Sequence, residues 1–187
     1  PEMRPYTLYV DGISKSLAAT GVRVGWAFGP EHIIEPMKSI LGHVGAWAPR
    51  PEQHAAALFI DNSSEYDCFI SEINNQASLR LKRFHEGIQQ LKNEGFPVNS
   101  IAPEGAIYLT LQFALNGKST PNQQVLTTTA DITKFLLETC KLAVVPFSAF
   151  GASANSNWYR LSVGTATEED VNQALQALGD ELRKLMD

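Results

Sequence analysis

Apolar positions fall into short β-type runs near the two ends of the chain, with a long helical period between them. Tyr6-Thr7-Leu8-Tyr9-Val10 is aromatic and β-branched and is bounded by Asp11-Gly12, which predicts a buried strand closed by a turn. Val22 to Phe28 predicts a second strand, stopped by Gly29-Pro30. Between them Ser14-Lys15-Ser16 and Ala18-Ala19-Thr20-Gly21 read as a tight loop that holds one lysine between two core strands. Pro30 to about Leu41 has helical character that Pro36 should bend or interrupt. Gly42 to Pro51 reads as a loop, and Gln53 to Ile60 as a short buried helix.

Asn62-Ser63-Ser64-Glu65 can cap the next helix, and the apolar positions behind it are regular. Tyr66, Phe69, Ile70, Ile73, Ala77, Leu81, Phe84, Ile88 and Leu91 step by three or four. That predicts one amphipathic helix of roughly 30 residues ending near Glu94-Gly95, a natural spine between two domains. Strands are then expected at Val98 to Ile101, Ala106 to Phe113, Leu142 to Val145 and Trp158 to Val163. Helices are expected from about Ala130 to Lys141 and after the capping-box-like Thr167-Glu168-Glu169-Asp170, with Val171, Leu175, Leu178, Leu182 and Leu185 on the buried face. The expected class is α/β, with an α+β second part.

With 187 residues, 44% of them hydrophobic and 19% charged, the chain is globular, one domain or one domain plus part of another. A net charge of -5 and no basic block argue against a nucleic-acid partner. No apolar stretch approaches the ~20 residues that span a bilayer, so no membrane partner is expected. Pro1 to Tyr9 lacks an apolar signal core, which leads to the expectation of a cytoplasmic protein. Cys68 and Cys140 lie far apart without a CxxC pair and read as buried free thiols. The histidines show no metal-binding spacing, and His85 is placed on the solvated side of the long helix. Gly117-Lys118-Ser119 is not a phosphate loop, because Gln112 stands where the first glycine is needed.

The lysine loop carries the chemistry. It is poor in charge and rich in small residues, which places the Lys15 ammonium near apolar surface; desolvation then favours the free amine, a nucleophile for carbonyls. Arg23 falls inside the second apolar strand, where its charge needs a partner such as a phosphate. A nucleophilic lysine beside a phosphate-binding arginine is what a pyridoxal phosphate site requires.

On Ser14-Lys15, Thr20-Gly21, Arg23 and Gly25 the sequence resembles the class I/II aminotransferases of pyridoxal-phosphate fold type I. Pro103-Glu104-Gly105-Ala106-Ile107-Tyr108-Leu109 and Val145-Pro146-Phe147-Ser148-Ala149-Phe150-Gly151 resemble two further segments of that family, and Trp158-Tyr159-Arg160-Leu161-Ser162 a third. The resemblance implies pyridoxal 5'-phosphate as cofactor, Lys15 as the catalytic Schiff-base lysine, and Ser14, Lys15 and Arg23 as cofactor ligands. It implies Arg160 as the residue that binds the substrate α-carboxylate. Gly12 stands where the family often has a serine, so that side-chain hydroxyl contact to the phosphate is missing, and a backbone amide could still reach it.

The resemblance further implies amino acid and 2-oxo acid substrates, with aspartate the leading choice, and a homodimer. It implies that the chain is a C-terminal portion: residues 1–60 the end of a large domain, 61–97 the interdomain helix and 98–187 the small domain. Such a portion lacks the acid at the pyridine nitrogen and the stacking ring, and is expected to be inactive alone. Arg50 could reach a second carboxylate across a dimer interface, although a solvated loop arginine is the simpler reading. A lyase or decarboxylase on the same scaffold stays open, as does a non-catalytic interaction fragment.

Overall fold

The computed structural model describes residues 2–186, so Pro1 and Asp187, the outer ends of the expected domains, lie outside the described residues. The chain divides into two units, one up to Asn74 and one from Asn75. In the first, strand β1 (Tyr9–Gly12) pairs antiparallel with β2 (Gly25–Phe28), Tyr9 opposite Phe28 and Gly12 opposite Gly25. A side chain does not fit at the last rung, because a Cβ on Gly12 would sit 3.0 Å from the Val24 carbonyl oxygen. Lys15 lies not in a loop but in a one-turn helix, α1 (Ile13–Ser16).

The strands expected to be buried are open to solvent: Val10 is 67% and Phe28 60% exposed. A two-stranded ribbon has no third strand to cover it, and within this unit the core is small. Ile13, Leu17 and Val24 form it, with Ala56, Phe59 and Ile70 packed alongside. Helix α2 (Glu31–Val44) runs through Pro36 and past the expected loop start, ending at Gly45, whose φ of 67° suits a left-handed cap. Helix α3 (Arg50–Asp61) starts earlier than expected and contains no buried residue, so it is not the buried helix its alanines suggested.

Helix α4 (Ser63–Asn93) has 31 residues and matches the expected span, beginning in the first unit and ending in the second. Its buried positions are Leu81, Phe84, Ile88 and Leu91, the C-terminal half of the periodic stripe. They pack in a core with an antiparallel sheet of order β3 (Val98–Ser100), β4 (Tyr108–Phe113), β6 (Trp158–Ser162) and β5 (Val145–Pro146). The two central strands alternate: Leu109, Leu111, Phe113, Tyr159 and Leu161 face the core, while Tyr108, Thr110 and Arg160 face the other way. Helices α5 (Thr129–Glu138) and α6 (Glu168–Leu182) both open on capping boxes, Thr128 with Asp131 and Thr167 with Asp170.

The result is a mixed α/β structure, as the pattern of elements implied. Cys140 is buried, and burial pushes its thiol up to about 12, so it is inert; Cys68 is exposed, contrary to expectation, because it lies two residues from both Tyr66 and Ile70, on the side of α4 away from the face that packs. His85 is half-buried rather than solvated, with Nδ1 2.7 Å from the Ser100 hydroxyl. Among the described residues no helix is long and apolar enough to cross a membrane.

Candidate active site

Buried Ile13 and Leu17, four residues apart, anchor α1 on one side and leave Ser14 half-buried and Lys15 exposed on the other. Ser14 and Lys15 line an open cleft of ≈ 570 Å³ together with Asp11, Gly12, Arg23 and Gly25. The residues singled out as cofactor ligands therefore share one surface. Among the described residues the Lys15 amine and the Ser14 hydroxyl have no hydrogen-bond partner. Lys15 is thus exposed in this chain rather than set in apolar surroundings, because the cleft is walled by the backbone of a narrow ribbon.

Arg23 does not sit inside β2 either. It precedes the strand with φ 61°, a left-handed conformation that costs a non-glycine residue about 1–2 kcal/mol. Its guanidinium Nη1 donates to the Thr20 carbonyl oxygen at 2.9 Å, and the Thr20 hydroxyl donates to the Ser14 carbonyl oxygen at 3.0 Å. Two linked bonds thereby fix Arg23 relative to α1, while the other guanidinium donors stay open among the described residues.

One carboxylate joins them. Asp11 accepts from the Tyr9 hydroxyl at 2.6 Å and from the Gly12 amide at 2.7 Å. The tyrosine bond, then the backbone bond, hold the Asp11 carboxyl below its usual range, and Asp11 pushes the Tyr9 phenol up. Two cationic side chains against one carboxylate leave the cleft with an excess of positive charge. The backbone amide of Gly12 itself is already engaged by Asp11.

Arg160 lies in the second unit. Its Cζ is 4.5 Å from the Tyr108 ring centroid and 4.4 Å from that of Phe150. Among the described residues its guanidinium has no hydrogen bond and no ion pair. Arg50 is the exposed first residue of α3.

A family model described as aminotransferase class I and II matches residues 2–178. The chain belongs to this family. An aspartate aminotransferase of Rhizobium meliloti (strain 1021) is 30% identical over 179 residues, which make up 95% of this chain and 41% of that protein. A probable aspartate/prephenate aminotransferase of Rhizobium leguminosarum bv. phaseoli is 34% identical over 90% of this chain and 40% of its own length. The crystal structure of the Rhizobium meliloti aspartate aminotransferase superposes with a TM-score of 0.80 at 28% identity, covering all of this chain and 44% of the other. The chain thus spans about two fifths of the length of these class I/II aminotransferases, and it shares their fold over that part.

For a class I/II aminotransferase, the cleft suits pyridoxal phosphate on its own chemistry. Its lining offers an unpaired amine, which can react with an aldehyde, and an open guanidinium and a hydroxyl, which suit a phosphate. Sequence reasoning gave no role to Asp11, Tyr9 or the rings of Tyr108 and Phe150. The signals were present: Tyr9 and Asp11 are two apart on one strand, so they share a face, and Tyr108 lies diagonal to Arg160 across paired strands.

Proposed function

We propose that the protein carrying this chain is a pyridoxal-phosphate-dependent aminotransferase that moves an amino group between an amino acid, aspartate first among candidates, and a 2-oxo acid. The observation that carries this reading is the convergence of Ser14, Lys15 and Arg23 on one cleft of ≈ 570 Å³ in a chain of the aminotransferase family. Bound there, the cofactor supplies an aldehyde and an electron sink for the charge that develops when the substrate Cα–H bond breaks.

The chain's own groups do the rest. With the cofactor bound, Lys15 Nζ would be the amine that secures its aldehyde and, once released, the general base that takes the substrate Cα proton and, as general acid, passes it to the cofactor. Arg23 and the Ser14 hydroxyl bind the phosphate, the arginine through its planar fork. Arg160 takes the substrate carboxylate in a bidentate pair and so aligns the Cα–H bond for cleavage. On this reading residues 1–60 end the cofactor-binding domain, 61–97 form the interdomain helix, and 98–187 form the small domain of one subunit in a cytoplasmic homodimer. Because the chain spans only about two fifths of its relatives, we propose that these 187 residues alone hold the cofactor weakly and do not turn over.

The test is hydride trapping of the whole protein with pyridoxal phosphate, followed by peptide mapping. The adduct is expected on Lys15 and absent in Lys15→Ala; an adduct on another lysine overturns the assignment. Stoichiometric transfer of the amino group to a 2-oxo acid separates transamination from lyase or decarboxylase chemistry on the same scaffold.

A further inference from the structure

The surroundings of Arg160 hold something the motif match does not. An arginine on the outward face of a sheet is ordinarily steadied by a carboxylate, and such a partner occupies the N–H donors that a ligand would need. Arg160 is steadied differently. Its Cζ lies 4.5 Å from the Tyr108 centroid and 4.4 Å from the Phe150 centroid, within cation–π range of both. A guanidinium stacked on aromatic rings keeps its in-plane donors free for a ligand, and among the described residues the Arg160 donors have no hydrogen-bond partner.

Three separate elements bring these groups together. Arg160 stands on β6 opposite Thr110, so Tyr108, two residues along the adjacent β4, is its diagonal neighbour on the same face. Phe150 closes a 3-10 turn, Phe147–Phe150, that comes directly after β5, and β5 pairs with Arg160 through Val145. Gly151 behind it takes φ 90°, a conformation that lets the chain turn away while the Phe150 ring stays over the arginine. Phe150 remains 54% exposed, a poor position for a ring whose purpose is core packing.

We propose that Tyr108 and Phe150 are positioning residues for substrate: they hold the Arg160 guanidinium by its face, so that its open edge is set for a carboxylate without an internal acid competing for it. This rests on the reading of Arg160 as the carboxylate ligand.

The test compares Phe150→Leu and Tyr108→Leu with Arg160→Ala in the whole protein, using L-aspartate as amino donor. Each leucine variant keeps apolar volume and removes one ring. KM for the donor is expected to rise about three- to tenfold, with kcat within about twofold. Phe150→Tyr, which restores a ring, is expected to return KM to the starting value. In addition, the Arg160 Nε–H resonance of the unaltered chain is expected to lie upfield through ring currents and to lose that shift in Phe150→Leu. If Arg160→Ala raises KM while both leucine variants leave it unchanged, the positioning role is wrong and the carboxylate role stands. If Arg160→Ala itself leaves KM unchanged, the carboxylate role is wrong. Should the leucine variants not fold, an Arg160 Nε–H resonance without a ring-current shift in the unaltered chain overturns the proposal by itself.

Discussion

The Thr20 hydroxyl donates to the carbonyl oxygen of Ser14 at 3.0 Å, tying the loop that ends in Arg23 back onto the turn of helix that presents Lys15. Arg23 completes the tie by donating to the Thr20 carbonyl. The bonds make the spacing between lysine and arginine a mechanical quantity: if Thr20 moves, both ends of the cleft move apart.

Thr20→Val keeps the side-chain shape and removes the donor. The Ser14 carbonyl is near solvent and recovers water, so the loss is at the low end for a neutral hydrogen bond, about 0.5 kcal/mol. Amide exchange at Ala19 and Val22, whose own loop bonds close the same turn, is expected to quicken. Affinity of the whole protein for pyridoxal phosphate is expected to fall about twofold to threefold by absorbance titration. Unchanged exchange at both amides would show that the threonine is not what closes the loop.

Periodicity exposes which positions share a face but not whether anything covers that face. The stripe on α4 gave both its length and the buried set Leu81, Phe84, Ile88 and Leu91, because in that half a sheet and two helices lie within the same core. The same reasoning placed Tyr9, Val10 and Phe28 in a core and they are exposed, since their ribbon is two strands wide. Arg23 read as a strand residue because Val22 and Val24 flank it; its φ of 61° and its bond to Thr20 override that alternation. The resemblance alone singles out Arg160; in the structure Tyr159 and Leu161 on either side of it face the core and turn it outward. The rings beside it were not legible, because they arrive from strands and turns whose pairing no local pattern encodes.

Acid should loosen the second unit through a carboxylate that protonates only after ordinary surface carboxylates have done so. The Thr128 side chain first, then its backbone amide and the Thr127 groups, donate to Asp131 and hold its carboxyl down at about 2. A folded-state value below the unfolded value of about 3.9 contributes stability that is fully present above pH ~4 and is lost as the pH falls toward ~2. Asp170 is shifted the same way by Thr167. Asp131→Asn is expected to lower the melting temperature at pH 6 and to flatten its decline between pH 5 and pH 2. A decline as steep as in the unaltered chain would mean that this cap is not the acid-sensitive element.

Ser100 is the one buried polar residue of the described core, at 7% exposure, and its hydroxyl is shared. Gln89 Nε2 donates to it at 3.0 Å, and His85 Nδ1 shares a hydrogen bond with it at 2.7 Å. These contacts pin edge strand β3 to α4. Ser100→Ala leaves two half-buried polar groups without that partner, and unfolding free energy is expected to drop by about 1–2 kcal/mol in urea titration. Because β3 pairs only with β4, exchange of the Val98–Phe113 rung should quicken more than that of the central Tyr159–Leu111 rung.

Gly87 is in the interior of α4, where alanine would ordinarily gain about 1 kcal/mol in helix propensity. Here the opposite sign is expected. A Cβ at position 87 would meet Leu175 at 2.5 Å and 2.6 Å from its methyls and 3.0 Å from Cγ, so α4 and α6 approach each other across this residue. The methyls alone could swing away, but contact with Cγ as well requires the whole side chain to change rotamer or the helices to part. Overpacking of that kind costs about 1–3 kcal/mol, which outweighs the propensity gain. Gly87→Ala is therefore expected to lower unfolding free energy by about 1 kcal/mol, and Gly87→Ala with Leu175→Ala to recover part of that loss despite the smaller core. A double variant less stable than the sum of the two single changes would mean that the helices had already parted to accept the methyl, and that Leu175 is not the constraint.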